Sequence, residues 1–153
     1  METWRKYMIR RGFSLIEVMI VIAIIAFFAV LALPNFMNLF AKAKRSEAYI
    51  HLRALYMLEK AYFAEHGAYS NKLQGAESLN WKPEGSVNYT YGFPGSAVVG
   101  ALGAPAGALQ GASVSEKGFT LAAAGDIDND GDVDVLTIND KGEIKIVKDD
   151  LQS

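Results

Sequence analysis

Two stretches of this sequence hold residue types whose spacing could do chemistry. The first is Arg10-Arg11-Gly12-Phe13-Ser14-Leu15-Ile16-Glu17. It sets a basic cluster, a glycine, an apolar residue and one carboxylate directly before a long run without charge. An acid at the mouth of such a run is costly in lipid unless a cation meets it. The second is the row Asp126, Asp128, Asp130, Asp132 and Asp134, with Gly131 at a turn. Oxygen ligands at the first, third and fifth positions and glycine at the sixth match the start of a calcium loop. Asp132 would offer its carbonyl, and Asp134 would ligate directly or through water. The twelfth position is Thr137, which lacks the bidentate acid of a full EF-hand. A solvated Asp- and Gly-rich turn between two strands explains the same residues equally well.

The first stretch also admits plainer readings. A secretory signal needs a short apolar core of about 7–15 residues, and the run here is longer, although Ala41-Lys42-Ala43 mimics a cleavage site. A simple membrane anchor accounts for the run and, through its basic flank, for a cytoplasmic N-terminus. It leaves Glu17 unexplained. Ser14-Leu15-Ile16-Glu17 is also a capping box, with Glu17 at the third helical position, and that role is compatible with any other.

These residues need an element to position them, and the sequence supplies a long helix over 13–66. No charged residue lies between Val18 and Ala41. At about 1.5 Å per residue this run covers the roughly 30 Å of a hydrocarbon core. The pattern then turns amphipathic: Ala48, Leu52, Leu55, Leu58 and Tyr62 recur at three- and four-residue steps, and Arg45, Glu59 and Lys60 fill polar positions. His66-Gly67 reads as the helix end. Pro34 removes a backbone donor inside the helix and is expected to kink it.

Beyond the helix, Val87, Tyr89 and Tyr91 alternate as a strand, and 119–123 is a second candidate. Residues 133–138 and 143–147 flank Asn139-Asp140-Lys141-Gly142, a hairpin loop. The Gly- and Ala-rich stretch 95–113 reads as a surface loop. The expectation is an α+β chain: residues 1–12 a basic leader, 13–40 an apolar helix, and 41–153 a globular domain. That domain comprises an amphipathic helix over 41–66, a loop over 67–85 and an antiparallel sheet of about four strands over 86–150.

Composition narrows the classes further. The formal net charge is −2, and losing a leader of net charge +3 would take it to −5. No basic face for nucleic acid is expected. The chain has no cysteine, so disulfides and thiolate metal sites are excluded. A domain of this kind needs another staple or support from neighbours. His51 and His66 are the only histidines. Neither sits near a nucleophile motif, and both read as helix-surface residues. Tyr49, Tyr56, Tyr62, Phe63 and Tyr69 read as core packing, and Trp81-Lys82-Pro83 as a loop anchor. No catalytic residue is expected.

The string from Gly12 to Pro34 resembles the type IV prepilin motif. Gly12 matches the last leader residue and Phe13 the first mature residue, whose amine is methylated in that family. Glu17 matches the acid five places after the cut, and Pro34 the helix-kinking proline. Ser14 replaces the usual Thr. Ala26 replaces the usual Gly, a good helix former where glycine favours local unwinding. The helix from Ser46-Glu47-Ala48 to Tyr69-Ser70 is similar to that of deltaproteobacterial-type pilins, as are Ala124-Gly125-Asp126-Ile127-Asp128 and Val135 to Ile138.

The resemblance implies a structural subunit, processed by a prepilin peptidase between Gly12 and Phe13 and N-methylated at Phe13. It would wait in the inner membrane as a single-pass precursor with a cytoplasmic N-terminus. An inner-membrane assembly platform would then build it into an extracellular homo-oligomeric filament. There the Phe13 ammonium and Glu17 of a neighbour would pair, since an unpaired charge in apolar surroundings costs several kcal/mol. Val18, Ile22, Phe27, Phe28 and Leu31 would pack laterally, and Ala23, Ala26, Ala29 and Ala32 would allow close approach. A pseudopilin of a type II secretion system and a minor pilin share this logic. No cofactor is required, and calcium at the aspartate row is the one metal expected. A monomeric calcium-binding membrane protein is the rival of a different class.

Overall fold

The computed structural model describes residues 12–152, without the side chains of residues 34, 35 and 152. The leader assigned above to 1–12 lies outside the described residues except for Gly12. Helix α1 runs Leu15–His66, and six strands follow: β1 Thr90–Phe93, β2 Ser96–Val98, β3 Ser113–Ser115, β4 Gly118–Gly125, β5 Asp134–Asn139 and β6 Ile144–Lys148. Short 3-10 turns occupy Ala106–Ala108 and Asp150–Gln152. The chain divides into two compact units, one up to Phe36 and one from Met37 onward.

The first unit is the apolar part of α1. Its N-terminus is closed by the expected capping box. The Ser14 amide donates to Glu17 Oε2 at 3.4 Å and the Glu17 amide to Ser14 Oγ at 3.3 Å. The helical backbone runs on through position 34. An 18-residue window of α1 has a mean hydropathy of 3.0 with none of it buried.

The second unit is an antiparallel sheet with the amphipathic part of α1 on one face. Strand order is β2-β1-β4-β5-β6, and β3 also pairs with β4. β4 is therefore central. Its first half meets β3 (Thr120 opposite Ser113) and its second half meets β1 (Ala124 opposite Thr90), while β5 runs along its other side. Alternation along β4 explains the two cores. Leu121 and Ala123 join Ala48, Leu52, Leu55, Tyr89, Tyr91, Leu136 and Ile138 under the helix. Ala122 and Ala124 face the other way, against Ala104, Leu109 and Val135.

The α+β class is as expected, and the differences lie in detail. The sheet has six strands where about four were expected, because β2 arises within the stretch read as a surface loop and β3 begins at its last residue. That stretch also buries Ala104 and Leu109, so it forms a layer covering the second face of the sheet. Its small residues are what allow this: a Cβ at Gly103 would lie 2.3 Å from Thr90 Oγ1. Val87 and Tyr89 precede β1 and are buried all the same. Tyr56 is half-buried and packs beside Phe119, 6.0 Å between ring centroids, and Tyr69 lies 5.0 Å from the same ring. Trp81 is buried. His51 is a correction: it is half-buried between Trp81 and Tyr91 at 5.7 and 5.3 Å. Glu59 is another, since it is fully buried where a polar surface position was expected.

Candidate functional site: an assembly terminus and an aspartate loop

The N-terminal residues stand together at the start of α1. Gly12 and Phe13 precede the helix, with Phe13 79% exposed. Glu17 lies in the first turn, where a carboxylate is favoured by the amide dipoles. Past Glu17 every described side chain up to Phe40 is exposed. The large apolar ones range from 43% at Val18 to 70% at Val30. Val18, Ile22, Phe27, Phe28 and Leu31 are all in that set, and Ala23, Ala26, Ala29 and Ala32 are equally uncovered. A helix apolar on all sides must be covered by lipid or by other helices. Ala29, Ala32, Leu33 and Phe36 line a shallow apolar depression on it. Small residues of this kind let another helix approach closely.

The aspartate loop joins β4 to β5, and its backbone folds around its own carboxylates. Asp126 accepts from the amides of Asn129 and Gly131 at 2.7 and 3.1 Å. Asn129 and Gly131 both take positive φ, 68° and 98°, which Asn and Gly tolerate best. Asp130 Oδ1 accepts from the Asp132 amide at 2.8 Å. The structure gathers Asp126, Asp128 and Asp130 with Asp150, each offering a carboxylate oxygen within 4.8 Å of the others. Asp128 Oδ1 is buried with no hydrogen-bond partner among the described residues. Burial pushes Asp150 up to about 6, against the pull of the Ile127 amide, and the charges of Asp128, Asp130 and Asp126 add to the rise. Four acids so placed repel one another, and a divalent cation would relieve them.

The other two members of the row are placed elsewhere. Asp132 pairs with Lys148 at 2.6 Å on the surface. Asp134 is fully buried and accepts from Arg45 Nε and Nη2 at 2.9 and 2.7 Å and from the Tyr89 hydroxyl at 2.7 Å. Arg45 Nη2 also reaches Asp149. Desolvation opposes the charge on Arg45, but its two carboxylates outweigh that and raise its pKa further. Burial, then Asp134, pushes the Tyr89 phenol up. Lys44 Nζ donates to the Ile127 carbonyl at 2.6 Å. Two consecutive cations of α1 thus grip both ends of the loop. Asp150 was invisible to the spacing argument: it arrives through the β5–β6 hairpin and a terminal 3-10 turn, and it holds the loop by accepting from the Ile127 amide at 3.1 Å.

A long helix with an uncovered apolar half, headed by Gly12-Phe13 and Glu17 and followed by an antiparallel sheet, is the arrangement that the resemblance to type IV prepilins implies. Residues 8–33 match the prokaryotic N-terminal methylation motif, which bears out the resemblance to type IV prepilins. The chain is 44% identical over 81 residues to the type IV major pilin protein PilA of Myxococcus xanthus. That stretch covers 53% of this chain and 36% of that protein. It is 35% identical over 74 residues to the type II secretion system core protein G of Pectobacterium carotovorum, covering 48% and 47%. It is 39% identical over 59 residues to the type IV major pilin protein PilE1 of Neisseria gonorrhoeae, covering 39% and 36%. The matches therefore span between about a third and a half of these relatives' own lengths.

Proposed function

We propose that this chain is the structural subunit of a type IV pilus, made as a membrane precursor, cut after Gly12 and polymerised through its N-terminal helix. The observation that carries the reading is the exposed apolar helix headed by Glu17, in register with the methylation motif. Cleavage by a prepilin peptidase would free an ammonium at Phe13, the residue then N-methylated. That positive charge sits at the positive end of a helix dipole, where it is unfavourable alone. Glu17 of an adjacent copy neutralises it and fixes the axial register. The helices then cover one another's apolar faces, and Pro34 bends each helix within the bundle. Before assembly the same helix spans the inner membrane with its basic end in the cytoplasm. The role is structural, with no catalysis. Identification of this chain in filaments sheared from cells supports it, and its absence from them contradicts it.

Similarity to type II secretion core proteins favours a second reading, a pseudopilin. The shearing experiment separates the two, because a pseudopilin at native abundance yields no surface filament containing this chain.

We also propose that Asp126, Asp128, Asp130 and Asp150 hold a calcium ion. It would tie the C-terminal turn to the β4–β5 loop of a chain that has no disulfide. The carboxylates' mutual proximity and the buried, unbonded Asp128 oxygen support this reading.

A further inference from the structure

Glu59 is the one fully buried glutamate among the described residues. It lies on the inner face of α1, one turn beyond Leu55. Its Oε2 accepts from the Ser70 amide at 3.1 Å, while Oε1 is buried with no hydrogen-bond partner among the described residues. Ser70 is itself buried, and its hydroxyl donates to the Lys72 carbonyl at 3.0 Å. Glu59 thus fastens the backbone of the chain that leaves the helix back onto the helix.

Among the described residues no cation is paired with it. The neighbouring Lys60 is committed elsewhere: its Nζ lies 5.5 to 6.0 Å from the ring centroids of Tyr56, Tyr69 and Phe119 and donates to the Tyr69 hydroxyl at 3.3 Å. His66 is exposed and engages the Tyr62 carbonyl. Lys72 is exposed. An ionised carboxylate buried without a cation and with one bare oxygen is strongly disfavoured.

We propose that Glu59 is a proton-operated latch: neutral, it holds residues 69–72 against the end of α1, and when it ionises that segment opens to let water reach the carboxylate. Burial, opposed only by the Ser70 amide, pushes Glu59 up to about 7 from an ordinary 4.5. The sign follows from linkage. A carboxyl whose folded pKa lies above its unfolded value stabilises least at high pH. Stability of the latched form is greatest below about 4.5, falls as pH rises through about 7, and is level above that.

The test is hydrogen exchange at the Ser70 amide in the detergent-solubilised full chain, corrected for the intrinsic pH dependence of exchange. Protection should be roughly 50- to 100-fold weaker near pH 8.5 than near pH 5. Glu59→Gln keeps an acceptor for the amide and removes the charge, so its protection should be nearly independent of pH. Equal pH dependence in both proteins overturns the proposal. Should the Gln variant fail to fold, carboxyl-carbon NMR on the unsubstituted protein decides. A Glu59 midpoint near 7 upholds the latch, and one between 4 and 5 overturns it. The readouts concern only the globular unit, so they stand apart from filament formation.

Discussion

The two units of this chain satisfy their apolar residues in opposite ways. Up to Phe36 the helix carries Phe, Ile, Leu and Val on every side and buries none of those described. From Met37 onward the chain buries Leu52, Leu55, Tyr89, Tyr91, Leu121, Leu136 and Ile138 almost completely. The first unit is complete only with lipid or other helices around it. The second carries its own core, although Met37, Leu39 and Phe40 at its start remain as uncovered as the first unit. The division of labour follows from sequence pattern: a charge-free run gives a helix with no outer face, while three- and four-residue spacing gives one with an inside and an outside.

The sharpest way to break this comparison is at Glu17. Glu17→Val should leave cleavage after Gly12 intact and abolish filaments, scored by electron microscopy and by immunoblot of processed and unprocessed chain. Glu17→Gln keeps the capping-box acceptor and removes the charge, so it too should fail. Filaments from the Gln variant would assign Glu17 to helix capping alone. None of this should alter the melting of the globular unit.

Substitutions in the second unit should do the reverse, lowering stability before assembly. Arg45→Ala strands the buried Asp134 carboxylate, and removing one partner of a buried pair costs about 3–5 kcal/mol. Leu52→Ala opens a cavity under the sheet at about 2–5 kcal/mol. Urea unfolding of the detergent-solubilised chain measures both, and a loss under 1 kcal/mol in either would contradict the packing described. The smallest effect is expected at the aspartate loop. Calcium should raise the melting temperature, and a chelator or Asp128→Ala should abolish the rise. The gain should fade as pH falls through about 6, where Asp150 takes up a proton and ceases to be a ligand. No shift with calcium at pH 7.5 would leave the loop a solvated turn.

What the sequence made legible follows the same division. The helix, its capping box and its inner stripe were readable because local spacing determines them, and the hairpin at Asn139 to Gly142 likewise. β2, β3 and the buried layer at Ala104 and Leu109 were not. Gly and Ala carry no periodic signal, and their burial depends on close backbone approach. In the aspartate row, Asp126, Asp128 and Asp130 came together because they share one turn. Asp134 belongs to strand β5, where it faces Arg45 and Tyr89, and Asp150 reaches the cluster only through tertiary folding. Glu59 broke the polar-outside rule for a comparable reason: its partner, the Ser70 amide, is a backbone group that residue type does not reveal.

Mass spectrometry of the N-terminal peptide from assembled material tests the central claim most directly. The account predicts a chain beginning at N-methylated Phe13, recovered from filaments. A chain recovered only as a monomer, with Met1 to Gly12 still attached, would contradict it.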